Sequence, residues 1–310
     1  MMSQHTIESP SMAAQHTSGV RRPSAPRTAL AAARSALQWR LLLWWVLLLL
    51  LPTLVATLPV WQMLGENFDQ SLYAARLAER LDLIAVGDLL GATRAHYAGA
   101  IGNGAGVALF LTLLLSPLLT SMSLAAARAR DRLGFMALLA SGAQGYGRML
   151  RVLLVALIPL GIAGALSGAA FHIAGKTAET AILEGDALRA SHIALAVSAV
   201  LMLLAHATID SARALLGNDR RRRSAFLAWW HACRLLVRRP MAVLGAYLVV
   251  TVIGLALAAV LALARAHVPA LGGAGTLGAL VLAQLLVLVL GWMRSARLFA
   301  LMAVARNKGT

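Results

Sequence analysis

Six stretches of the chain contain no Asp, Glu, Lys or Arg, and each is long enough to cross a bilayer as a helix. The hydrocarbon core of a membrane is about 30 Å thick, which a helix crosses in about 20 residues. The stretches cover residues 41–65, 95–127, 152–175, 190–209, 240–264 and 266–293. Backbone groups inside lipid find no water to bind, so spans of this kind must be helical. The pattern predicts an all-α integral membrane protein.

Within these stretches we place six transmembrane helices, at about residues 41–62, 101–123, 152–173, 190–210, 241–264 and 274–293. Arg265 is the one charge between the last two stretches, and Pro269 with two following glycines marks a turn, so spans five and six are expected to form a hairpin. Residues 1–27 lack apolar periodicity and are expected to be a disordered cytoplasmic tail. The membrane domain then covers residues 28–310.

The composition excludes a pair of soluble domains, because 60% of the 310 residues are apolar and only 13% are charged. The 28 Lys and Arg against 12 Asp and Glu give a formal charge of +16, which in a soluble protein would indicate a nucleic-acid partner. The one cysteine, Cys233, excludes an internal disulfide framework and a zinc site built on several thiolates.

The location of the charges shows whether the net charge of +16 indicates a nucleic-acid partner or the orientation of a membrane protein. If the spans alternate sides, 22 cations and four acids fall on the side of the N-terminus, and six cations and eight acids fall on the other side. The two sides carry +18 and −2, so the positive-inside rule places both termini in the cytoplasm. The ratio of 26 Arg to 2 Lys indicates a G+C-rich bacterial genome, and the predicted location is therefore a bacterial inner membrane.

The cationic clusters flank every cytoplasmic span end and no DNA-binding motif accompanies them, so no nucleic-acid partner is predicted. Contact with anionic lipid headgroups is expected instead, at about 1 kcal/mol per residue near the surface. The residues assigned to that contact are Arg220, Arg221, Arg222, Arg223, Trp229 and Trp230. A membrane protein partner or a homo-oligomer is a further possibility that the sequence leaves open.

An internal repeat is suggested by an offset of 91 residues. This offset superposes Phe135 on Phe226, Arg148 on Arg239 and residues 152–153 on residues 243–244. The repeated unit would be an interfacial amphipathic helix followed by a transmembrane hairpin, with interfacial helices before spans three and five. The alternative is that any helix at the inner leaflet followed by a span has this pattern.

Residues with the capacity for chemistry are scarce in the spans. His206 and Asp210 lie four residues apart, hence on one helix face, at the inner end of span four. They could form a pair in which the carboxylate orients the imidazole; alternatively, Asp210 pairs with Arg213 or Arg128. His172 and His192 lie near the outer ends of spans three and four, and with so few ligands no metal or cofactor site is predicted.

Hydroxyl side chains recur on one face of span two, at Thr112, Ser116, Thr120 and Ser121. They could hydrogen-bond across helices, or Thr112 and Thr120 could line a polar path together with His206 and Asp210. Packing is the simpler interpretation.

A cluster of short motifs lies between residues 210 and 248. It consists of Asp210-Ser-Ala-Arg213, Asp219 with the four following arginines, Ser224-Ala-Phe226, Arg238-Arg-Pro240 and Leu244-Gly-Ala-Tyr247-Leu248. In these motifs the chain resembles a group of uncharacterised bacterial six-span membrane proteins, which is similar to the membrane domain found beside some glycerophosphodiesterases and to YciC-like proteins. Ser211 stands where that family has a tyrosine. The resemblance implies the six-span fold and supplies no activity, catalytic residue or cofactor.

Three functional classes follow from these patterns. The first is a non-enzymatic scaffold or accessory component in lipid or envelope processes. The second is a transporter or channel for a small or lipidic solute, with the path described above. A membrane-embedded enzyme is the least favoured class, because catalysis requires clustered acids, bases or metal ligands.

Overall fold

The computed structural model describes residues 25–68, 83–181, 183–219, 224–268 and 272–306, and the regular secondary structure in these ranges is helical throughout. The helices described there are α1 (Ala25–Ser35), α2 (Trp39–Phe68), α3 (Leu83–Arg128), α4 (Phe135–Thr180), α5 (Glu184–Asn218), α6 (Ala225–Arg238), α7 (Pro240–His267) and α8 (Gly272–Arg306). Six of them, α2 to α5 with α7 and α8, are long and apolar enough to cross a membrane. The predicted fold class is confirmed. Residues 1–24 of the predicted tail lie outside the described residues.

The six long helices are arranged as three antiparallel hairpins. Helix α2 packs most extensively against α3, α4 against α5, and α7 against α8. The expected hairpin of spans five and six is therefore present. Helix α8 also packs against α1, α2, α3 and α5, so it joins the hairpins to one another.

One end of the bundle, which we call the arginine-rich end, gathers the start of α2 and α4 and the ends of α5 and α8. Trp44 Nε1 donates to the Phe135 carbonyl (3.0 Å), and Asn218 Nδ2 donates to the Met302 carbonyl (3.0 Å). Trp292 Nε1 donates to the carbonyl of Ala33 in α1 (2.9 Å). The first and last helices described thus meet at the same end, as the even number of spans requires.

The hydrophobic core is concentrated at the arginine-rich end, around the C-terminal part of α8. Ala296, Leu298, Ala300 and Met302 are fully buried there, because other helices surround this part of α8. A helix that is apolar on all sides is expected to lie in such a position. Toward the other end, the spans expose many large apolar side chains, among them Leu109, Leu157 and Val260. Such exposed faces suit contact with lipid.

Two arginines hold the end of α5 against its neighbours. The last carbonyls of a helix have no partner within the helix and need donors from elsewhere. Arg128 of α3 donates to the Gly217 carbonyl (2.8 Å), and Arg148 of α4 donates to the carbonyls of Leu216 (2.7 Å) and Asp219 (3.0 Å). These residues, which we predicted to orient the protein in the membrane, also fix the position of a helix end.

The repeat appears in the buried faces of spans three and five. In α4 the buried positions include Val152, Ala156, Pro159, Ala163 and Ser167. At an offset of 91 residues these positions correspond to Val243, Tyr247, Val250, Gly254 and Ala258 of α7, all of which are buried. The two spans therefore bury equivalent positions of the repeat.

The segments that precede these two spans differ from each other. Before span five, α6 is a separate helix, whereas before span three residues 135–148 are continuous with the span in a helix of 46 residues. The predicted segment before span three is therefore helical but is not a helix of its own. Proline explains the difference: Pro240 disfavours helical backbone at Arg239, which adopts φ −139° and ψ 59°. The corresponding residue before span three is Met149, which allows the helix to continue.

Glycine permits close contact between helices at several points. Among the glycines of span two, Gly104 lies against Pro59 of α2, whereas Gly102 and Gly106 face open space. Helix α7 approaches α8 closely at Gly254, where an added Cβ would lie 2.5 Å from Met293 Cγ and 2.7 Å from Met293 Cβ. A methyl group at this position has no room unless the helices move apart.

We expect Gly254→Ala to lower the stability of the protein by about 1–3 kcal/mol, the usual cost of overpacking a well-packed contact. The matched control is Gly161→Ala in α4, where a Cβ meets no atom within 4 Å. This control should leave stability unchanged or raise it, because alanine favours helix over glycine. Thermal unfolding of both variants in detergent measures the difference. Equal midpoints would contradict the close contact of α7 and α8.

Candidate functional site

A group of charged side chains lies inside the arginine-rich end, where α5, α7 and α8 meet. Asp210 and Arg213 are one turn apart on α5 and are joined by a bond of 2.8 Å between Arg213 Nη1 and Asp210 Oδ1. Arg297 of α8 places its Nε 3.8 Å from Asp210 Oδ2. The Asp210 and Arg213 side chains are only 5% and 10% exposed, and that of Arg297 is 13% exposed. The ion pairs are thus largely shielded from solvent.

Aromatic and hydroxyl side chains complete the surroundings of the arginines. Arg297 Nη1 donates to Tyr247 Oη of α7 (2.8 Å), and the guanidinium lies over the Tyr247 ring at 4.9 Å from its centre. Arg294 Nη2 donates to Ser116 Oγ of α3 (3.0 Å), and Arg294 Cζ lies 5.8 Å from the ring centre of Trp45 in α2. Residues from five helices therefore contribute to one group. We call Asp210, Arg213, Arg294 and Arg297 the arginine cluster.

The hydroxyl face of span two points toward α8. Ser116 contacts Arg294, and Ser123 Oγ lies 3.1 Å from Ser295 Oγ. Thr120 lies between Ser116 and Ser123 on the same face, since residues three and four apart are neighbours on a helix. Its side chain is 1% exposed, and its hydroxyl has no hydrogen-bond partner in the described part of the chain. Of the predicted row of hydroxyls, Ser116 contacts α8 and Ser121 donates to the Ser141 carbonyl of α4, whereas Thr112 donates to the Ala108 carbonyl of its own helix.

The arginine cluster is not electrically balanced. It holds three guanidinium groups, which stay protonated at any physiological pH, and one carboxylate. The formal charge of the four side chains is therefore +2. Taking a charge out of water costs several kcal/mol unless an opposite charge or hydrogen bonds compensate for it. Asp210 compensates for one arginine, and the hydroxyl and ring contacts of the other two are with neutral groups.

The predicted pair of His206 and Asp210 does not form. The His206 side chain is exposed, and its Nδ1 lies 2.8 Å from the Met202 carbonyl of the preceding turn. Asp210 is buried and bonds Arg213, which was one of the two alternative partners. The other alternative, Arg128, donates to Gly217 at the end of α5. One helical turn of separation therefore places His206 and Asp210 in different environments.

The polar path of the transport hypothesis requires a cavity that joins Thr112, Thr120 and Asp210. Thr112 donates to the carbonyl of Ala108 and lines an open groove between α2, α3 and α8. The groove is lined mainly by apolar side chains, and neither Thr120 nor Asp210 is among its lining residues. The groove gives the transport hypothesis no support.

The histidines and the predicted headgroup residues also have defined places. His172 and His192 are both exposed, and no group of three or more potential metal ligands occurs among the described residues. Trp229 is half-buried, and its Nε1 lies 3.4 Å from Thr208 Oγ1, whereas Trp230 is 52% exposed. The predicted lipid contacts Arg220, Arg221, Arg222 and Arg223 lie outside the described residues.

Helix α6 has one face on the bundle and one face turned outward. The inward face is built from small residues and one leucine, namely Ala225, Ala228, Ala232 and Leu235. The outward face exposes Phe226, Leu227, Trp230 and Val237, next to the exposed Arg234 and Arg238. Apolar and basic side chains together on the outside of a helix are typical of a helix that lies at a membrane surface.

Comparison with known proteins adds no family. No protein-family model, no curated protein and no solved structure matches this chain. The resemblance to the six-span family of the glycerophosphodiesterase-associated membrane domain therefore stays a prediction, and function has to be argued from the site itself.

Sequence reasoning assigned Asp210 to a site but missed its partners on the other helices. Arg294 and Arg297 were counted only as charges that orient span six. The sequence does carry a sign of these contacts. Arg297 is followed by an apolar run, residues 298–305, which indicates that the helix continues into a packed environment. Arginines in a helix that packs on all sides need partners, because buried charges in proteins are paired.

Proposed function

We propose that the protein is a non-enzymatic scaffold or accessory component of a bacterial inner membrane, with both termini in the cytoplasm. The observation that carries the proposal is the concentration of the core and of its ionic contacts at the arginine-rich end. This arrangement supports a rigid platform at one membrane surface. The exposed face of α6 then forms part of that platform.

The orientation is supported by the charge distribution. The arginine-rich end contains Arg128, Arg148 and Arg294, which are among the cations that alternation of the spans assigns to one side, and that side carries +18 in total. Cytoplasmic loops and span ends are enriched in Lys and Arg, and the inner leaflet of the membrane attracts them. The outward face of α6, with Trp230 between basic residues, would rest in the headgroup region of that leaflet.

A scaffold role is supported by where three polar side chains of the spans lie. Ser116, Ser123 and Asp210 contact neighbouring helices rather than a shared cavity. Such contacts fix one conformation of the bundle. A fixed bundle with an exposed amphipathic helix suits the binding of a partner at the membrane surface.

Site-specific photo-crosslinking in living cells tests this proposal. A photoreactive residue replaces the exposed Trp230 at the arginine-rich end or, as the control, the exposed Ile173 near the far end of α4. We expect a reproducible protein adduct from position 230 that is absent from position 173. Adducts with lipid alone from position 230 would count against the scaffold proposal.

A further inference from the structure

We infer that Arg213, Arg294 and Arg297 form a binding site for one phosphate-type oxyanion inside the arginine-rich end. This inference goes beyond the scaffold proposal and does not depend on it. It rests on three features of the arginine cluster: its charge, its unused hydrogen-bond donors and its level in the bundle. A lipid headgroup and free phosphate share the chemistry that these features would recognise.

The charge of the cluster requires an anion. Asp210 is the only acid that contacts the three arginines in the described chain, so two positive charges lack a counter-charge. Arginine cannot relieve this imbalance by losing a proton. Buried charges in proteins are paired, and here a bound anion with a charge between −1 and −2 would pair the excess.

The donors of the cluster are also underused. Each guanidinium offers five N–H groups in a planar fork. In the described residues Arg213 donates only to Asp210, Arg294 only to Ser116, and Arg297 only to Tyr247. The Nε of Arg297 is fully buried and lacks a hydrogen bond in the described chain. The hydroxyl of Thr120, on the facing surface of α3, is also buried and lacks a hydrogen bond there. A ligand with several acceptor oxygens would satisfy these groups.

The geometry favours phosphate over a smaller anion. Guanidinium forks bind phosphate oxygens in pairs, and three forks from two helices can reach different oxygens of one tetrahedral group. Chloride offers one acceptor atom and a carboxylate only two. The spans predicted from sequence end at about residue 210 in α5 and residue 293 in α8, so the cluster is expected near the level of the headgroup phosphates of the adjoining leaflet.

Ligand-dependent thermal unfolding of the full chain tests the inference. The protein is purified in detergent, freed of phosphate, and heated with inorganic phosphate, phosphatidylglycerol, phosphatidic acid or phosphatidylcholine. Ligands that bind the folded state raise the unfolding midpoint with concentration. We expect phosphatidic acid or phosphatidylglycerol to raise it more than phosphatidylcholine does. If inorganic phosphate has the same effect, the ligand is free phosphate; if only the lipids act, it is a headgroup.

Variants assign the effect to the cluster. Arg297→Lys keeps the positive charge but loses the guanidinium fork, and we expect it to weaken binding of the ligand at least tenfold. We expect the same loss of binding from Arg294→Gln. Asp210→Asn raises the formal charge of the cluster from +2 to +3, so its stabilisation by the anion should exceed that of the wild type. Arg189→Gln, which replaces an exposed arginine near the start of α5 at the opposite end of the bundle, is the matched control and should bind as the wild type does.

A measurement on the wild type keeps the test decisive if a variant fails to fold. Equilibrium binding of radiolabelled phosphate and of radiolabelled phosphatidic acid should reach about one ligand per chain for at least one of them. Absence of saturable binding of both would overturn the inference. So would equal binding by wild type, Arg297→Lys and Arg294→Gln, because the site would then lie elsewhere.

Discussion

Asp210→Asn is expected to lower the free energy of unfolding by about 3–5 kcal/mol, the usual cost of removing one partner from a buried ion pair. The substitution keeps the size of the side chain and removes the only carboxylate that contacts the arginine cluster in the described structure. Three guanidinium groups would then face one another without compensation. Unfolding in detergent without phosphate, followed by size-exclusion chromatography of the heated protein, measures the loss.

A matched control and a double variant show whether the loss comes from the cluster. Asp186→Asn makes the same change in the exposed first turn of α5, where a carboxylate contributes about 0.3–1 kcal/mol through the helix dipole. Adding Arg213→Gln to Asp210→Asn restores the formal charge of +2 and should recover about 0.5–3 kcal/mol, the usual coupling between contacting residues. If Asp210→Asn unfolds at the same midpoint as Asp186→Asn, the carboxylate does not hold the cluster together.

The spans could be predicted from sequence because lipid imposes a requirement that is local in the chain. A charge-free stretch of 20 residues must form a helix in a membrane, whatever the rest of the chain does. Each of the six predicted spans accordingly lies within one long helix. The ends of these helices were harder to predict, since α4 runs through residues 135–148 where a separate segment was expected. The helix continues because Met149 stands where span five has Pro240, so this helix end depends on a single residue.

The partners of Asp210 could be predicted only in part, because sequence shows neighbours along one helix and not across helices. Arg213 is one turn from Asp210, and the pairing was among the alternatives. Arg297 is 87 positions further along the chain, and only the packing of α8 against α5 brings it to the carboxylate. The same limit explains why His206 appeared to be a partner: spacing of four residues gives proximity along a face, but burial separates the two side chains.

The charge distribution also predicts which membrane surface carries the arginine-rich end. With both termini in the cytoplasm, the loop between α3 and α4 is cytoplasmic and the start of α5 lies outside. We expect a cysteine placed at Gly185 to react with an impermeant maleimide in intact cells, and one at Asp131 to react only after the membrane is opened. Both positions are exposed, and neither substitution removes a cation that orients the protein.

The labelling requires a background without Cys233, the single cysteine of the chain. That thiol is half-buried on α6, and burial raises its pKa, so it reacts slowly near neutral pH, where little thiolate is present. Cys233→Ser removes this slow background. With the two engineered cysteines on opposite sides, the ratio of their labelling in intact cells should be at least tenfold and should disappear in opened membranes. Equal labelling in intact cells would place residues 131 and 185 on one surface, which an α4 that crosses the membrane once does not allow.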